Sequence, residues 1–286
     1  MSSSDVAGAP SRRTRIRRRD RNPLLRLLRR WCKRAWRARR KLKAASPAVR
    51  IAVIVATGLA VFAAGNIVYQ VLRKPTELLF PVSGLLNKTP TGTWRQYAAL
   101  FREYSTTPIT PELLAALAQV EGAGNPAART YWRWRLTWHP LEIYQPASSA
   151  VGMYQMTGPA FAEARRYCVR DHAIVADGAW DDWRSCWFNG LYTRVMPSHA
   201  IELTAVFLHR NVAAILAGRP NARPTPAQTQ DLAAMVHLCG AGPARAFARR
   251  NFQLNIGERC GDHDVAAYLA RVNAMKRRFL QLAGEQ

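Results

Sequence analysis

The chain has 286 residues, enough for one or two domains, and a net charge of +24 that no ordinary neutral domain carries. Residues 1–50 hold 18 Lys and Arg against 2 Asp and Glu, so this short segment carries +16 of that charge. Apolar residues make up 49% of the chain, which excludes a wholly disordered protein and allows a sizeable core beyond residue 50.

The first 50 residues are predicted to be a basic, disordered tail. Two charge runs, residues 12–19 and 26–43, repel on compaction and have few apolar partners. Leucine and tryptophan interrupt the second run, so a basic amphipathic helix lying on anionic lipid is an alternative. A solvated cytoplasmic tail fits the same composition. A nucleic-acid-binding arm is the least favoured interpretation, and nucleic acid is not expected as a partner.

Residues 51–72 form an uncharged run rich in Ala, Val and Ile, which predicts a transmembrane helix. At about 1.5 Å per residue the run spans roughly 33 Å, enough for a bilayer core. A cleaved signal peptide is the alternative, but its charged and apolar parts are normally shorter. Because the Arg excess precedes the run, we expect a single-pass protein of the bacterial inner membrane, with a cytoplasmic N-terminus and a periplasmic domain.

The cysteines fit this topology. Cys32 precedes the membrane segment, on the reducing side, whereas the other four follow it. An oxidising compartment would pair these four. Three connectivities are possible, and sequence proximity favours Cys168–Cys186 and Cys239–Cys260. The chain has no CxxC or HExxH motif and its His residues lack ligand spacing, so neither a metal site nor a cofactor is predicted.

A linker and a mainly α domain are predicted beyond the membrane. Residues 73–93 are rich in Pro and Gly, which is typical of a linker, and the domain occupies residues 94–286. Long alternating strands are absent, and a short hairpin or irregular segment is expected around 128–148. Apolar residues recur with the helical period near residues 94–104, 111–121, 158–168, 199–217, 228–238 and 263–282.

One carboxyl group stands out in the second of these helices. Thr110 and Pro111 predict the helix start, Glu121 lies on its apolar face, and Gly122 and Gly124 end it. Burial and the negative end of the helix dipole both disfavour the carboxylate anion, which is the environment that a general acid for glycoside cleavage requires. A glutamate that reaches water from a frayed helix end is the structural alternative.

Four segments carry a family resemblance, and they occur in the family's order. Residues 109–126 contain Ile-Thr-Pro-Glu-Leu-Leu-Ala-Ala-Leu-Ala-Gln-Val-Glu and then Asn-Pro, and residues 149–156 read Ser-Ala-Val-Gly-Met-Tyr-Gln-Met. Residues 241–243 read Ala-Gly-Pro, and residues 268–272 read Tyr-Leu-Ala-Arg-Val. Together these segments resemble the soluble lytic transglycosylase domain family, which belongs to the lysozyme-like superfamily.

The resemblance implies a lysozyme-like helical fold and cleavage of the β-1,4 bond between N-acetylmuramic acid and N-acetylglucosamine, with 1,6-anhydro ring formation. It implies that Glu121 is the catalytic acid and base. Tyr154 has a second interpretation as a core aromatic. The expected partners are peptidoglycan glycan strands and inner-membrane lipid, with envelope-spanning machinery as a further candidate. The residues implied to bind substrate are Ser149, Gly152, Met153, Tyr154, Gln155 and Tyr268.

The chain departs from the family pattern in four places. Gly122 stands where the family usually has Ser, Met153-Tyr154 replaces a Leu-Met pair, and Cys239-Gly240 replaces a Tyr-Asn pair. An aromatic insertion, residues 129–145, separates Glu121 from the second motif. If this insertion is extended, Trp132 and Trp134 share one face of it. These aromatics either stack on sugars or pack the insertion onto the domain, and both interpretations stay open.

Two other functions compete with the transglycosylase. One is a non-catalytic peptidoglycan-binding or assembly subunit of an envelope or secretion machine, and the other is a hydrolytic goose-type-like lysozyme. A hydrolase needs a positioned water and often a second carboxylate. Asp181 and Asp182, between Trp180 and Trp183, are the candidates for that second carboxylate, although such a pair is also typical of a cap or a turn.

Overall fold

The computed structural model describes residues 23–79, 83–179, 181–182 and 185–285. Of the described residues, 62% are helical and 9% lie in strands, so the mainly α prediction is confirmed. It divides into two compact units, one ending at Ala64 and the other beginning at Gly65. The predicted segment boundaries at residues 50, 72 and 93 stay predictions.

The first unit contains helix α1, Pro23–Ala44, and most of helix α2, Pro47–Arg73. The prediction of a disordered tail is therefore wrong for residues 23–44. In this segment basic and apolar residues recur at helical spacing and give an amphipathic helix. The rest of that tail, residues 1–22, lies outside the described residues.

Helix α2 contains the whole predicted membrane segment. Two helices of the described chain are long and apolar enough to cross a membrane, α2 and helix α6, Pro197–Ala217. The apolar stretch of α6 is 56% buried inside the domain, whereas that of α2 is 6% buried. Packing in the core therefore explains why α6 is apolar, but it does not explain why α2 is apolar.

Six predicted helices are confirmed in the second unit, and one has a wrong end. The prediction over 158–168 runs too far, because residues 167–170 pair as a strand instead. A further helix, α8, was not predicted and contains the third family-like motif. The helices are α3 Pro90–Glu103, α4 Pro111–Gly122, α5 Gly158–Ala164, α6, α7 Pro226–Cys239, α8 Ala241–Arg249 and α9 Val265–Gly284.

The strands of the described chain form three antiparallel hairpins. The first of them confirms the hairpin expected around 128–148. Their strands are β1 Trp132–Trp134 with β2 Tyr144–Pro146, β3 Tyr167–Arg170 with β4 Ala173–Ala176, and β5 Arg259–Cys260 with β6 His263–Asp264.

Helix α4 lies at the centre of the core, with α3 and α9 packed against it. Every side chain from Leu113 to Ala118 is fully buried, which only a helix surrounded by other elements can achieve. Trp94 and Phe101 of α3 and Phe279 of α9 stack beside one another in this core. The centre of the fold therefore holds the C-terminal end of α4, and with it Glu121, in a fixed place.

Two disulfides join parts of the second unit. Cys168–Cys186 links β3 to the start of the 3₁₀ segment Trp187–Leu191, and Cys239–Cys260 links the end of α7 to β5. This is the pairing that sequence proximity favours, and it is confirmed. Cys32 is free and exposed.

Candidate active site

Glu121 is the second-last residue of α4, and the sequence sets this helix locally. The Thr110 hydroxyl accepts a hydrogen bond from the Leu113 amide at 3.3 Å, and Pro111 opens the first turn, as predicted. The helix ends where Ala123 adopts a left-handed conformation with φ of 50°. The side chain of Glu121 is 19% exposed, so it lies at the rim of the core and not in free solvent.

Two side chains from distant parts of the chain meet the Glu121 carboxyl group. The Tyr268 hydroxyl donates a hydrogen bond of 2.6 Å to its Oε1 atom. The Nε2 atom of His237 lies 3.7 Å from the same oxygen and contributes an ion pair when the imidazole is protonated. The Tyr268 ring is buried, and burial together with the Glu121 charge raises the pKa of its hydroxyl well above the usual value. Tyr268 therefore stays a donor at neutral pH.

The second disulfide fixes the elements that carry these two partners. Cys239 lies two residues after His237, and its bond to Cys260 ties the end of α7 to the β5–β6 hairpin. That hairpin leads directly into α9, whose first amides are capped by the Asp264 carboxylate through a 2.7 Å bond from Ala267. The Cys239-Gly240 pair, which stands where the resemblance leads one to expect Tyr-Asn, thus coincides with a covalent link beside the site.

The second family-like motif packs directly on the end of α4. A Cβ atom added to Gly122 would lie 2.8 Å from the carbonyl oxygen of Met153 and 2.9 Å from its Cα atom. Such contacts are too short for a real side chain, so Gly122 lets the two backbones meet next to Glu121. This packing is the physical reason why Gly stands where the resemblance leads one to expect Ser.

Residues 149–156 form a tight loop rather than a regular element. Gly152 has φ of 80° and Gln155 has φ of 46°, and the Gln155 side-chain amide donates to the Gly152 carbonyl at 2.8 Å. The Arg194 guanidinium donates to the carbonyls of Ser149 and Met156 at 2.6 and 2.9 Å. These bonds hold both ends of the loop against the domain.

The loop places its predicted substrate-binding residues in different environments. Met153 and Tyr154 are fully buried in the core, so the core interpretation of Tyr154 matches its position. The Ser149 hydroxyl accepts from the Gly158 amide at 3.0 Å and so supports the start of α5. Ser149 is exposed and Gln155 is partly exposed. Substrate contact by these residues stays a prediction.

Three other carboxyl groups bear on whether a second carboxylate accompanies Glu121. Asp181 and Asp182 are exposed, and no contact of either with Glu121 is seen within the described ranges; their neighbours Trp180 and Trp183 lie outside the described residues. Glu202 of α6 is buried, which raises the pKa of its carboxyl group, and it accepts hydrogen bonds from the Val169 amide and the Tyr192 hydroxyl at 2.9 and 2.8 Å. Because Glu202 is 3% exposed and each of its oxygens already accepts a hydrogen bond from the protein, it is not accessible to a substrate.

His237 is the site residue that sequence reasoning missed. Its only sequence signal is its position two residues before a motif-flanking cysteine, which is too weak to single it out. Among the residues that the structure describes, no group of three or more His, Cys, Asp or Glu side chains is placed to hold a metal ion.

No family model matches the sequence, and none of the curated proteins compared with it gives a match. The case for a function therefore depends on the geometry around Glu121 and on the motif resemblance.

Proposed function

We propose that the protein is a membrane-anchored peptidoglycan lytic transglycosylase that cleaves the β-1,4 bond between N-acetylmuramic acid and N-acetylglucosamine. One observation carries the proposal. A single carboxyl group, Glu121, lies half-buried at the end of a core helix, and Tyr268 holds one of its oxygens. Among the described residues no hydrogen bond is made to its Oε2 atom, which is the atom available to a substrate.

The reaction needs one enzyme carboxyl group that acts twice. The protonated Glu121 donates to the bridging oxygen as the bond from the muramoyl C1 atom breaks. The resulting carboxylate accepts the proton of the muramoyl C6 hydroxyl as that oxygen bonds to C1, which closes the 1,6-anhydro ring. No water is consumed, and the glutamate ends in its starting state. Among the described residues no second carboxylate is seen in contact with Glu121, and a single carboxyl group favours this route over inverting hydrolysis, which uses two.

Tyr268 and His237 are positioning residues in this proposal. A buried, protonated Tyr268 hydroxyl restricts the rotation of the Glu121 carboxyl group and leaves Oε2 directed to the substrate side. A protonated His237 would add positive charge 3.7 Å from Oε1 and so stabilise the carboxylate formed after the first proton transfer. Both roles act through Glu121 and need no contact with the sugar.

Helix α2 and the disulfides support the proposed location. In this proposal α2 is a single membrane span of the bacterial inner membrane, the basic segment before it stays in the cytoplasm, and the domain is periplasmic. Two disulfides fit the oxidising side. Protease added to spheroplasts is expected to digest the domain and spare the tail. Digestion of the tail with a protected domain would show the inverted topology.

Mass spectrometry of sacculi digested with the protein tests the reaction itself. Anhydro-muropeptides are expected. Reducing-end muropeptides would instead identify a goose-type-like lysozyme. No release at all, from protein whose circular dichroism shows it folded, would leave the non-catalytic peptidoglycan-binding subunit.

A further inference from the structure

The insertion that separates Glu121 from the second motif presents large apolar side chains to solvent. We call residues 131–146 the aromatic hairpin: they comprise β1, β2 and the connection between them. In that connection Leu136 is 105% exposed and Trp138 is 99% exposed, and Tyr131 and Trp134 are exposed as well. A soluble surface rarely gathers so many large apolar side chains in one short segment unless something covers them.

The aromatic hairpin is fastened to the last turns of α2. The side-chain amides of Asn66 and Gln70 donate to one carbonyl oxygen, that of Leu141, at 2.8 and 2.7 Å. Both amides are buried, and they are four residues apart on one face of α2. One turn further on, Arg73 forms an ion pair with Glu142. These bonds fix the aromatic hairpin against the end of the helix.

The aromatic face of the hairpin lies beside the last turns of α2. The rings of Trp132 and Trp134 both lie against Tyr144, at 5.2 and 4.8 Å between centroids, so these three aromatics share one face. A groove of about 520 Å³ lies between this face and α2, where Ile67 and Val71 line it. Most of its lining is apolar or aromatic, and the ion pair of Glu77 with Arg129 lies at the same groove.

The opposite face of the hairpin is basic. Arg133 and Arg135 alternate with the tryptophans, as expected for a strand, and therefore point the other way. They line a second cavity, of about 370 Å³, together with Arg73, Lys74 and Arg194. Arg73 and Lys74 form ion pairs with Glu142 and Glu77, and Arg194 donates to backbone carbonyls, so the charge that favours an anionic group such as a phosphate comes mainly from Arg133 and Arg135.

We propose that the aromatic hairpin is a membrane-interface element: its aromatic face and tip enter the outer-leaflet boundary between headgroups and acyl chains, and its basic face takes a phospholipid phosphate. The proposal rests on the proposed membrane span of α2. Arg73 and Lys74 are the first charges after the uncharged run and mark its water-facing end. Because a helix rises about 1.5 Å per residue, Asn66 lies about 10 Å below Arg73 along α2. That depth is where Trp is enriched in membrane proteins.

The paired amides support the same placement. Asn66 and Gln70 are the only amide side chains in the otherwise apolar run, and an unpaired amide facing lipid is costly. The Leu141 carbonyl accepts a hydrogen bond from each of them. The hairpin thus provides a partner for the two side chains of α2 whose exposure to lipid would be most costly. A glycan platform would explain the tryptophans but not the bonds to the membrane helix.

Depth-dependent quenching in the full-length protein tests the proposal. On a Cys32→Ser background, a fluorophore is attached at Trp138→Cys and the protein is reconstituted into phosphatidylglycerol-containing vesicles. Ile256→Cys is the matched control, because Ile256 is also an apolar residue with complete exposure, 107%, outside the hairpin. Phe62→Cys reports on α2 itself. A nitroxide on the lipid chain is expected to quench the label at 138 several-fold more than the label at 256, with iodide showing the reverse.

Each other outcome overturns a defined part. The label at residue 62 could be quenched by the lipid nitroxide while the label at residue 138 responds only to iodide. The hairpin would then lie in water, so the membrane-interface proposal would fail while the proposed membrane span of α2 would stand. If the label at 62 responds only to iodide, the membrane span fails and this proposal with it. Shielding of a water-exposed label at 138 by soluble glycan strands would identify a glycan platform instead.

The basic face is tested with the same label. Arg133→Gln combined with Arg135→Gln is expected to reduce lipid quenching at residue 138 several-fold in anionic vesicles, to the level seen in phosphatidylcholine vesicles. Arg277→Gln combined with Arg278→Gln, an exposed pair on α9, is the charge-matched control and should change nothing. Equal quenching in the two double variants would refute phosphate binding by this face.

Discussion

The hydroxyl of Tyr268 and the carboxyl group of Glu121 are joined by a 2.6 Å hydrogen bond across 147 positions of the sequence. Tyr268 lies in the first turn of α9 and Glu121 in the last turn of α4, and these two helices pack against each other at the centre of the domain. The bond therefore connects the candidate acid to a second helix of the core.

Replacing Glu121 with Gln should reduce muropeptide release by at least about 100-fold and leave the fold intact. The amide keeps the shape of the side chain but has no acidic proton to donate. Release is measured by mass spectrometry and the fold by thermal melting. Glu112→Gln, in the first turn of the same helix, is the matched control and should retain activity. Full activity of Glu121→Gln with a normal melting curve would rule out the catalytic assignment.

Tyr268→Phe should lower turnover by roughly 10-fold or more while changing the melting temperature little. The ring still fills its place in the core, but a hydrogen bond to a charged group, worth about 1.5–3 kcal/mol, is lost. Steady-state kinetics on soluble glycan strands should place the loss in kcat and not in KM, because the hydroxyl acts through Glu121. A loss confined to KM would instead make Tyr268 a substrate contact.

Gly122→Ser should destabilise the domain by about 1–3 kcal/mol, although Ser is the residue that the family resemblance suggests at this position. The added Cβ would lie 2.8 Å from the Met153 carbonyl oxygen and force the loop away from α4. Denaturant unfolding measures the change. Gly190→Ser is the control, because its Cβ would meet no atom within 4 Å. Equal stability of the two variants would contradict the close packing of loop and helix.

Stability should fall as the pH rises above about 10, the value at which tyrosines of the unfolded chain ionise. Burial raises the pKa of Tyr154 well above that value, so the folded state keeps it neutral while the unfolded state gains charge. The stability is thus fully present below pH 10 and is lost above it, by about 1.4 kcal/mol per pH unit for each such tyrosine.

Tyr154→Phe should flatten this alkaline slope without loss of stability at neutral pH, because the buried Tyr154 hydroxyl has no hydrogen-bond partner among the described residues. Urea unfolding between pH 8 and 11 measures both effects. Tyr131→Phe removes an exposed hydroxyl and serves as the control. An unchanged slope in Tyr154→Phe would show that other groups govern the alkaline transition.

Removing the second disulfide with Cys239→Ala and Cys260→Ala should cost about 2–5 kcal/mol of stability and also reduce muropeptide release. The bond ties the end of α7, with His237, to the hairpin that leads into α9 and Tyr268. Removing Cys168–Cys186 in the same way should cost similar stability with a smaller effect on release. If both double variants lose release in proportion to stability, the second bridge has no special role at the site.

Local patterns determined much of the helical layout. The apolar run of α2, the Thr110–Pro111 start of α4 and the periods of six helices are properties of neighbouring residues, and each is found in the structure. Sequence proximity also favoured the cysteine pairs that the structure contains. The end of α5 is where local pattern failed: residues 167–170 have helical spacing, but pairing with residues 173–176 makes them a strand.

Tertiary packing alone decided what surrounds Glu121 and where the aromatic hairpin lies. No spacing in the chain relates Glu121 to His237, Met153 to Gly122, or Leu141 to the two amides of α2. Periodicity shows which face of a helix is apolar, whereas the partner of that face depends on how distant elements fill space around the core. For this reason the acid was visible in the sequence, and the groups that orient it were visible only in the fold.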